Sequence, residues 1–331
     1  MTKTDTRDVS ATVAQIRAAA ELGCDIVRLA VPDRDAAAAL AQIRRQVEVP
    51  LVADIHFDHR LALAAVDAGM DGLRINPGNI GGVEHVRAVV AAARPRRIPI
   101  RIGVNAGSLE KEILQRHGSA TAEALVESAL GHVALLEAEE YREIKISVKA
   151  SDVARTIAAY RLLAERTDYP LHLGVTEAGT FLAGTVRSCA AMGVLLEEGI
   201  GDTIRVSLTA DPCEEVRVGV ELLRAFGMRA PGAAVTSCPT CGRTQVDVAT
   251  VAQTIERELE AHYRAHPQAP RPHVAVMGCV VNGPGEARAA DIALAGGKGL
   301  FALYLRGQQI ATVPQPEAVA RVVELVREWK A

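Results

Sequence analysis

Seven short runs rich in branched residues recur along the first two thirds of the chain, each followed by a segment with apolar residues at helical spacing. This alternation restricts the chain to a parallel sheet clothed in helices. The runs are DIVRLAV at 25–31, LVADIHF at 51–57, GLRIN at 72–76, IRIGVN at 100–105, IKISVKA at 144–150, LHLGVTE at 171–177 and DTIRVSL at 202–208. Residues 33–47, DRDAAAALAQIRRQV, show the helical pattern between the first two. Asp8 or Ser10 can cap the helix that opens the chain, and Gly23 and Gly69 fall where a helix ends ahead of a strand. Seven strands are one short of a closed eight-stranded barrel, and a polar loop and helix stand where the first strand would precede. The expected fold is α/β, a (β/α)8 TIM-type barrel lacking its N-terminal first strand. An open doubly wound sheet is the alternative.

Residues 212–226, PCEEVRVGVELLRAF, read as the closing helix of that barrel, and MRAPGAA supplies the punctuation of a boundary. The expected division is a barrel over 1–229 and a second domain over 234–331. The latter reads as a small α+β domain: CPTC, a polar helix over 246–266, the strand HVAVMGC, the turn VNGPGE, strands at 292–295 and LFALYL, and a helix from Pro316. With 331 residues, 49% of them hydrophobic, the chain can bury a core of this size. Its 37 Lys and Arg against 40 Asp and Glu give no global nucleic-acid or membrane surface, so any anion site is local. Aromatic residues, at 3%, offer few platforms for stacking bases. The start has no apolar signal core and no apolar run reaches about 18 residues, so the expected location is cytoplasmic. Six cysteines are too sparse for a disulfide scaffold, which makes a CxxC metal-binding or redox-active.

The barrel runs carry polar residues at or near their C-terminal ends: Arg28, Asp54 with His56, Arg74 with Asn76, Arg101 with Asn105, Lys149, Glu177, and Arg205 with Ser207. In a barrel those ends surround one mouth. Four arginines and a lysine converging there repel one another unless an anion sits among them, and guanidinium forks match phosphate oxygens. A diphosphate is the economical ligand; isolated salt-bridged strand ends are the plainer reading. Glu177 is the lone Glu of the set, either a proton relay or a counter-charge to the arginines. His56 and His59 offer only two zinc ligands at an unspecific spacing, and read as mouth polarity or surface.

In SCPTCGR, Cys238 and Cys241 are spaced as a tight turn requires for two thiolates to reach one metal centre. Cys279 follows in GCVVNGPGE at a strand end running into a Gly/Pro turn, and Glu286 lies seven residues beyond it. Three cysteines and a carboxylate suit a cubane with one iron on a hard, exchangeable ligand. A structural zinc site with His273 as fourth ligand is the alternative. Cys24, Cys189 and Cys213 belong to no motif and read as buried or inert thiols.

TDTRDVSATVAQI, DIVRLAVPD, LVADIHFD, LRINPGN, RIGVNAGSL, SVKAS, LHLGVTEAG, EGIGDTIRVSL, SCPTCGR and GCVVNGPGEA together cover essentially the whole chain. They resemble the 4-hydroxy-3-methylbut-2-enyl diphosphate synthase family of the methylerythritol phosphate route to isoprenoids. The resemblance implies a barrel that binds 2-C-methyl-D-erythritol 2,4-cyclodiphosphate and a cluster domain like those of sulfite and nitrite reductases. It implies that Cys238, Cys241, Cys279 and Glu286 hold a 4Fe-4S cluster. It further implies that Arg28, Arg74, Arg101, Asn105, Lys149, Arg205 and Ser207 bind substrate, with Glu177 as acid/base. The implied reaction is a two-electron reductive ring opening with loss of water, fed by flavodoxin or ferredoxin, in a homodimer whose active sites span the interface. Family members carry a segment resembling VxVGxVxIGGxxPIxVQSMT ahead of TDTRD, matching the strand missing from the count of seven. Two rival expectations are an anion-binding barrel lyase with a zinc-stapled C-terminal module, and a truncated inactive paralogue that only binds partners.

Overall fold

The structure is a computed structural model describing residues 1–76, 80–230, 232–279, 285 and 288–330. It comprises two compact units, Met1–Met228 and Arg229–Ala331. The first runs α1 (Val9–Glu21), β1 (Val27–Ala30), α2 (Arg34–Arg44), β2 (Leu51–Asp54), α3 (His59–Asp67), β3 (Gly72–Ile75), α4 (Val83–Ala93) and β4 (Ile100–Asn105). It continues through α5 (Lys111–His117), α6 (Ala122–Glu137), β5 (Ile144–Lys149), α7 (Val153–Ala164), β6 (His172–Leu173), α8 (Phe181–Glu197), β7 (Thr203–Ile204) and α9 (Pro212–Ala225). Asp8, Asp33, Asp58, Asp152 and Asp211 each cap the helix that follows by accepting a backbone N–H of its first turn.

Strands β1 to β5 form one parallel sheet in chain order, β6 pairs with β7 in parallel, and a bridge between Ile146 and Leu171 joins the two. At the other side Thr2 N donates to Arg28 O at 3.0 Å and Lys3 Nζ to Leu208 O at 2.8 Å, so the first residues lie between β1 and the segment after β7. Outside the sheet, α1 to α4 pack in succession, α4 and α5 both pack on α6, α6 to α9 pack in succession, and α9 packs on α1, which closes the ring. Both observations favour the barrel over the open doubly wound sheet. All seven expected strands form, but 171–177 and 202–208 each contribute only two residues of ladder. Gly174 explains part of this: it has no side chain to pack, and Lys149 Nζ and the Arg205 carbonyl crowd the place a Cβ would take.

Period two along each strand sorts the side chains. Leu29, Ala53, Leu73, Ile75, Ile100, Ile102, Ile146, Val148 and Leu173 are fully buried, packed under the helices with Ile16, Leu40, Ala62 and Leu125. The intervening residues, among them Arg28, Asp54, Arg74, Arg101, Gly103, Asn105, Ser147, Lys149, His172 and Arg205, therefore face the barrel axis.

The second unit runs β8 (Val235–Ser237), α10 (Val248–Ala265), β9 (Val274–Met277), β10 (Ile292–Gly297), β11 (Leu300–Leu305), β12 (Gln308–Pro314) and α11 (Gln315–Arg327). Its sheet order is β12-β11-β10-β9-β8, parallel from β8 to β10 and antiparallel beyond. Helices α10 and α11 pack together on one face, where Ile255, Leu259, Val276, Leu294, Phe301 and Val322 make a core. Strands β8 and β12 were not expected from the sequence. VTS is too short to read as a run, and QQIATVP is an exposed edge with little apolar signal. Among the described residues no helix is long and apolar enough to cross a membrane.

Candidate functional site

The residues expected at the barrel mouth come together, but on a different geometric basis. Arg28 is the second residue of four-residue β1 and Arg101 the second of six-residue β4, so neither ends its strand. What gathers them is the inward phase of the alternation. Register places Asp54 opposite Arg74, Arg74 opposite Arg101, and Asn105 opposite Lys149.

Asp54, buried at the end of β2, is the hub. Arg74 Nη1 donates to its Oδ1 at 3.2 Å, Arg28 Nε lies 3.6 Å from its Oδ2, and His56 Nε2 lies 3.6 Å from Oδ1. Burial works against the ionised carboxyl, but the contacts to His56, Arg28 and Arg74 outweigh it and hold its pKa well below the carboxylate range. Arg74 Nη2 also donates to Gly103 O at 3.3 Å, and the guanidinium lies where Gly103 would otherwise carry a Cβ, with Nε 2.5 Å from that position. Arg205 has its own counter-ion, Glu215 on α9, at 3.8 Å, and Lys3 Nζ lies 3.3 Å from the same carboxylate.

Five cations therefore share an interior with two carboxylates, Asp54 and Glu215. Burial, and after it neighbouring positive charge, lowers Arg28 to about 10 and Arg101 to about 9, and pushes Lys149 well below its ordinary value. The buried Nε atoms of Arg28, Arg101 and Arg205 have no hydrogen-bond partner. A guanidinium buried without acceptors is costly unless something supplies them, and a dianionic ligand would. Asn105 and Ser207, half-buried on the same inward phase of β4 and of the segment after β7, add neutral donors.

Glu177 stands apart. It is exposed in the loop after β6, with φ of 52°, and no ion pair joins it to the five cations among the described residues. It is not their counter-charge. His56 belongs to the Asp54 cluster, whereas the His59 ring stacks on His85 at 3.8 Å. The sequence reading missed His172, Ser147 and Glu215. His172 is buried, Nδ1 lies 2.9 Å from Thr203 Oγ1, Nε2 has no partner, and burial beside Arg101 and Lys149 pushes its pKa well down. The alternation in IKISVK and LHLG was the signal that could have found the first two. Glu215 sits on a helix and gave none.

In the second unit Cys238 follows β8 and donates its backbone N–H to Val276 O at 3.0 Å. Thr240, at φ 65°, and the Thr244 hydroxyl shape the CPTC turn: Thr240 N reaches Cys238 Sγ at 3.3 Å and Cys241 N donates to Thr244 Oγ1 at 3.0 Å. Gln245 N donates to Gly278 O at 3.2 Å, and the Thr244 and Val248 methyl groups fill the space over Gly278. The turn is thereby pinned to the end of β9 that leads into Cys279, so all three thiols belong to one end of the parallel β8–β9 pair. Soft thiol donors gathered at one strand end, with Cys241 exposed, Cys238 half-buried and Cys279 buried, are the donor set of an iron–sulfur centre. Among the described residues no three His, Cys, Asp or Glu side chains already form a metal-holding group. Glu286 lies outside the described residues. His273 Nε2 lies 2.7 Å from Thr236 Oγ1, a hydrogen bond that gives it a role other than zinc ligand. Cys24, Cys189 and Cys213 are half-buried, not fully buried, and join no metal-holding group among the described residues.

A β/α barrel lined with cations, followed in the chain by a small thiol-bearing α+β unit, defines a class of two-part barrel enzyme that handles an anionic substrate. The GcpE TIM-barrel domain matches residues 1–220 and the GcpE protein C-terminal domain matches residues 234–328. The chain belongs to the GcpE family. It is 57% identical over 328 residues to the 4-hydroxy-3-methylbut-2-en-1-yl diphosphate synthase (flavodoxin) of Geobacter sulfurreducens, covering 99% of this chain and 91% of that protein. It is 55% identical over 331 residues to the protein of the same description in Symbiobacterium thermophilum, covering 100% and 88%. Among solved structures, Yersinia pestis dihydropteroate synthase aligns with 66% of this chain and 88% of its own at a TM-score of 0.47 and 12% identity, too loose a likeness to bear on chemistry.

Proposed function

We propose that this chain carries out the reductive ring opening and dehydration of 2-C-methyl-D-erythritol 2,4-cyclodiphosphate to (E)-4-hydroxy-3-methylbut-2-enyl diphosphate, a step of isoprenoid biosynthesis. The observation that carries this reading is the convergence of Arg28, Arg74, Arg101, Lys149 and Arg205 on one barrel axis, in a chain 57% identical to a diphosphate synthase. The guanidinium groups grip the two phosphates through paired N–H donors, and Asn105 and Ser207 complete the acceptor-poor wall. Asp54 holds Arg28 and Arg74 in register, which fixes the ligand before chemistry begins. Glu177, in a loop that follows β6, moves a proton to the oxygen that departs as water.

In this reading residues 1–229 bind substrate, and 234–331 form a cluster domain akin to those of sulfite and nitrite reductases. Cys238, Cys241, Cys279 and Glu286 would hold a 4Fe-4S cluster, which when bound supplies the electrons and a Lewis-acidic iron. The relatives are named for flavodoxin, and flavodoxin or ferredoxin is the donor proposed here, with a homodimer as the assembly. A zinc-stapled lyase is not favoured: His273 is engaged by Thr236, and the thiols suit iron and sulfide. An inactive paralogue is not favoured either, since every inward cation of the barrel is in place.

The test is anaerobic reconstitution with iron and sulfide, then addition of reduced flavodoxin and the cyclodiphosphate, followed by phosphorus NMR. A brown protein with about four irons per chain that converts the cyclic to the linear diphosphate supports the reading. A colourless protein that retains zinc and leaves the cyclodiphosphate intact ends it.

A further inference from the structure

The surplus of positive charge inside the barrel falls on one residue. Arginine holds its proton far more firmly than lysine, and even Arg101, lowered to about 9, stays charged at neutral pH, so the four arginines relieve little of their repulsion by losing a proton, whereas a buried lysine can. Arg28 and Arg74 have Asp54 as counter-ion and Arg205 has Glu215. Lys149 has no ion pair among the described residues and is 6% exposed, and its Nζ is seated 2.9 Å from where Gly174 would carry a Cβ.

The groups that face it are of its own sign or already engaged. Arg101 on β4, Arg205 after β7, Arg28 on β1 and Arg74 on β3 act on it, in that order of strength after burial itself. His172 on β6 is also pushed toward neutrality, with Lys149 among the causes. Tyr160 on α7 donates its hydroxyl to His172 O at 2.5 Å, and burial raises its pKa beyond reach. Lys145 lies at the far end of the same strand, and Asp54 keeps His56 beside it. The α-amino group of Met1, near Arg205 and Arg28, is lowered to about 5, chiefly by burial.

We propose that Lys149 is uncharged in the ligand-free barrel and takes up a proton when an anion enters, so that the site binds a diphosphate together with about one proton. This rests on the diphosphate reading above. An incoming dianion reverses the field at Nζ, so the ligand calls up the fifth cation that holds it, and the empty barrel is spared that repulsion. The sign follows: the bound form carries the extra proton, so affinity falls as pH rises between the free and bound pKa of Lys149, by up to about tenfold per pH unit.

The experiment is isothermal titration of the full chain at pH 8.5 with sodium sulfate, which does not itself titrate there, and with inorganic pyrophosphate. It is repeated in buffers of different protonation enthalpy, where the slope of heat against buffer enthalpy counts protons. A lysine of ordinary pKa is about 99% charged with or without ligand and gives a slope near zero. The expected sulfate slope is about 0.5 to 1 proton taken up for the unaltered chain, and near zero for K149R and K149M, each of which still binds. A buffer-independent heat overturns the proposal and leaves the anion site standing. So does an unaltered slope in K149R, which places the proton on another group. Absence of binding by both anions removes the diphosphate reading and this inference with it. Should both variants misfold, the slope of the unaltered chain and the pH dependence of its affinity decide the matter.

Discussion

The two units present their functional side chains in opposite ways. The barrel sets its cations on β-strands, buried at alternate positions and locked by register, with Gly103 and Gly174 clearing space for the Arg74 and Lys149 heads. The second unit sets its thiols just past strand ends, Cys238 and Cys241 in a turn shaped by Thr240 and Thr244, with Cys241 exposed and Cys279 buried. One site is preorganised and strained by its own charge until an anion arrives. The other is a set of donors whose final geometry a cluster would complete. Rigid placement suits recognition of a fixed ligand shape, and looser placement suits a centre that must be built in after folding.

If this contrast holds, losing a ligand and losing stability come apart in the second unit and coincide in the first. The largest effect belongs to Cys238→Ser, which removes iron from the reconstituted protein altogether while shifting the stability of the metal-free chain by no more than about 0.5 kcal/mol. Iron analysis and urea denaturation of the same preparation read both. Next is Asp54→Ala, which strips Arg28 and Arg74 of their counter-ion and costs about 3–5 kcal/mol. Pyrophosphate would then raise the melting temperature of the variant less than that of the unaltered chain, since Arg28 and Arg74 are no longer held in register to receive it. A stability loss for Cys238→Ser as large as that for Asp54→Ala would erase the distinction. Smaller again is Gly103→Ala, whose Cβ displaces the Arg74 guanidinium. It should weaken anion binding by about 1.5–3 kcal/mol, the worth of a hydrogen bond to a charged group, read by titration with pyrophosphate.

How much of this was legible in the sequence divides along the same line. The seven strands and their helices follow from periodicity, and Asp8, one of the two caps offered for the first helix, caps it. The inward cations were legible as a set but assigned to strand ends, because four-residue strands leave end and middle nearly indistinguishable without register; Arg101 shows the difference. Glu215 was out of reach, since a helix residue that turns back to bond Leu208 N and Arg205 carries no strand signal. In the second unit CxxC announced itself, but β8 and β12 did not. A three-residue strand and an exposed edge owe their existence to neighbours distant in sequence.

The finest test of the contrast is the dependence of stability on pH, where two groups of the barrel act in the same direction, one through a charge that stabilises and one through a charge that destabilises. The pKa of Asp54 is depressed in the folded chain, so its contribution is present above the unfolded carboxyl value of about 3.9 and is lost as pH falls below it. Lys149 is depressed too, but its charged form is the protonated one. Below its folded pKa the buried ammonium destabilises the barrel in full. Between the folded value and about 10.4 the unfolded chain holds the extra proton, and stability rises with pH by at most about 1.4 kcal/mol per unit. Ligand-free protein should therefore gain stability through mildly alkaline pH, a trend that K149M reduces, the Met1 α-amino group and Arg101 supplying the remainder, and that saturating pyrophosphate flattens by keeping the ammonium charged and paired. Urea denaturation at intervals from pH 7 to 9.5, with and without pyrophosphate, measures it. A profile that falls over that range in the unaltered chain, or one that K149M leaves unchanged, would mean that the charge inside the barrel is relieved by another route.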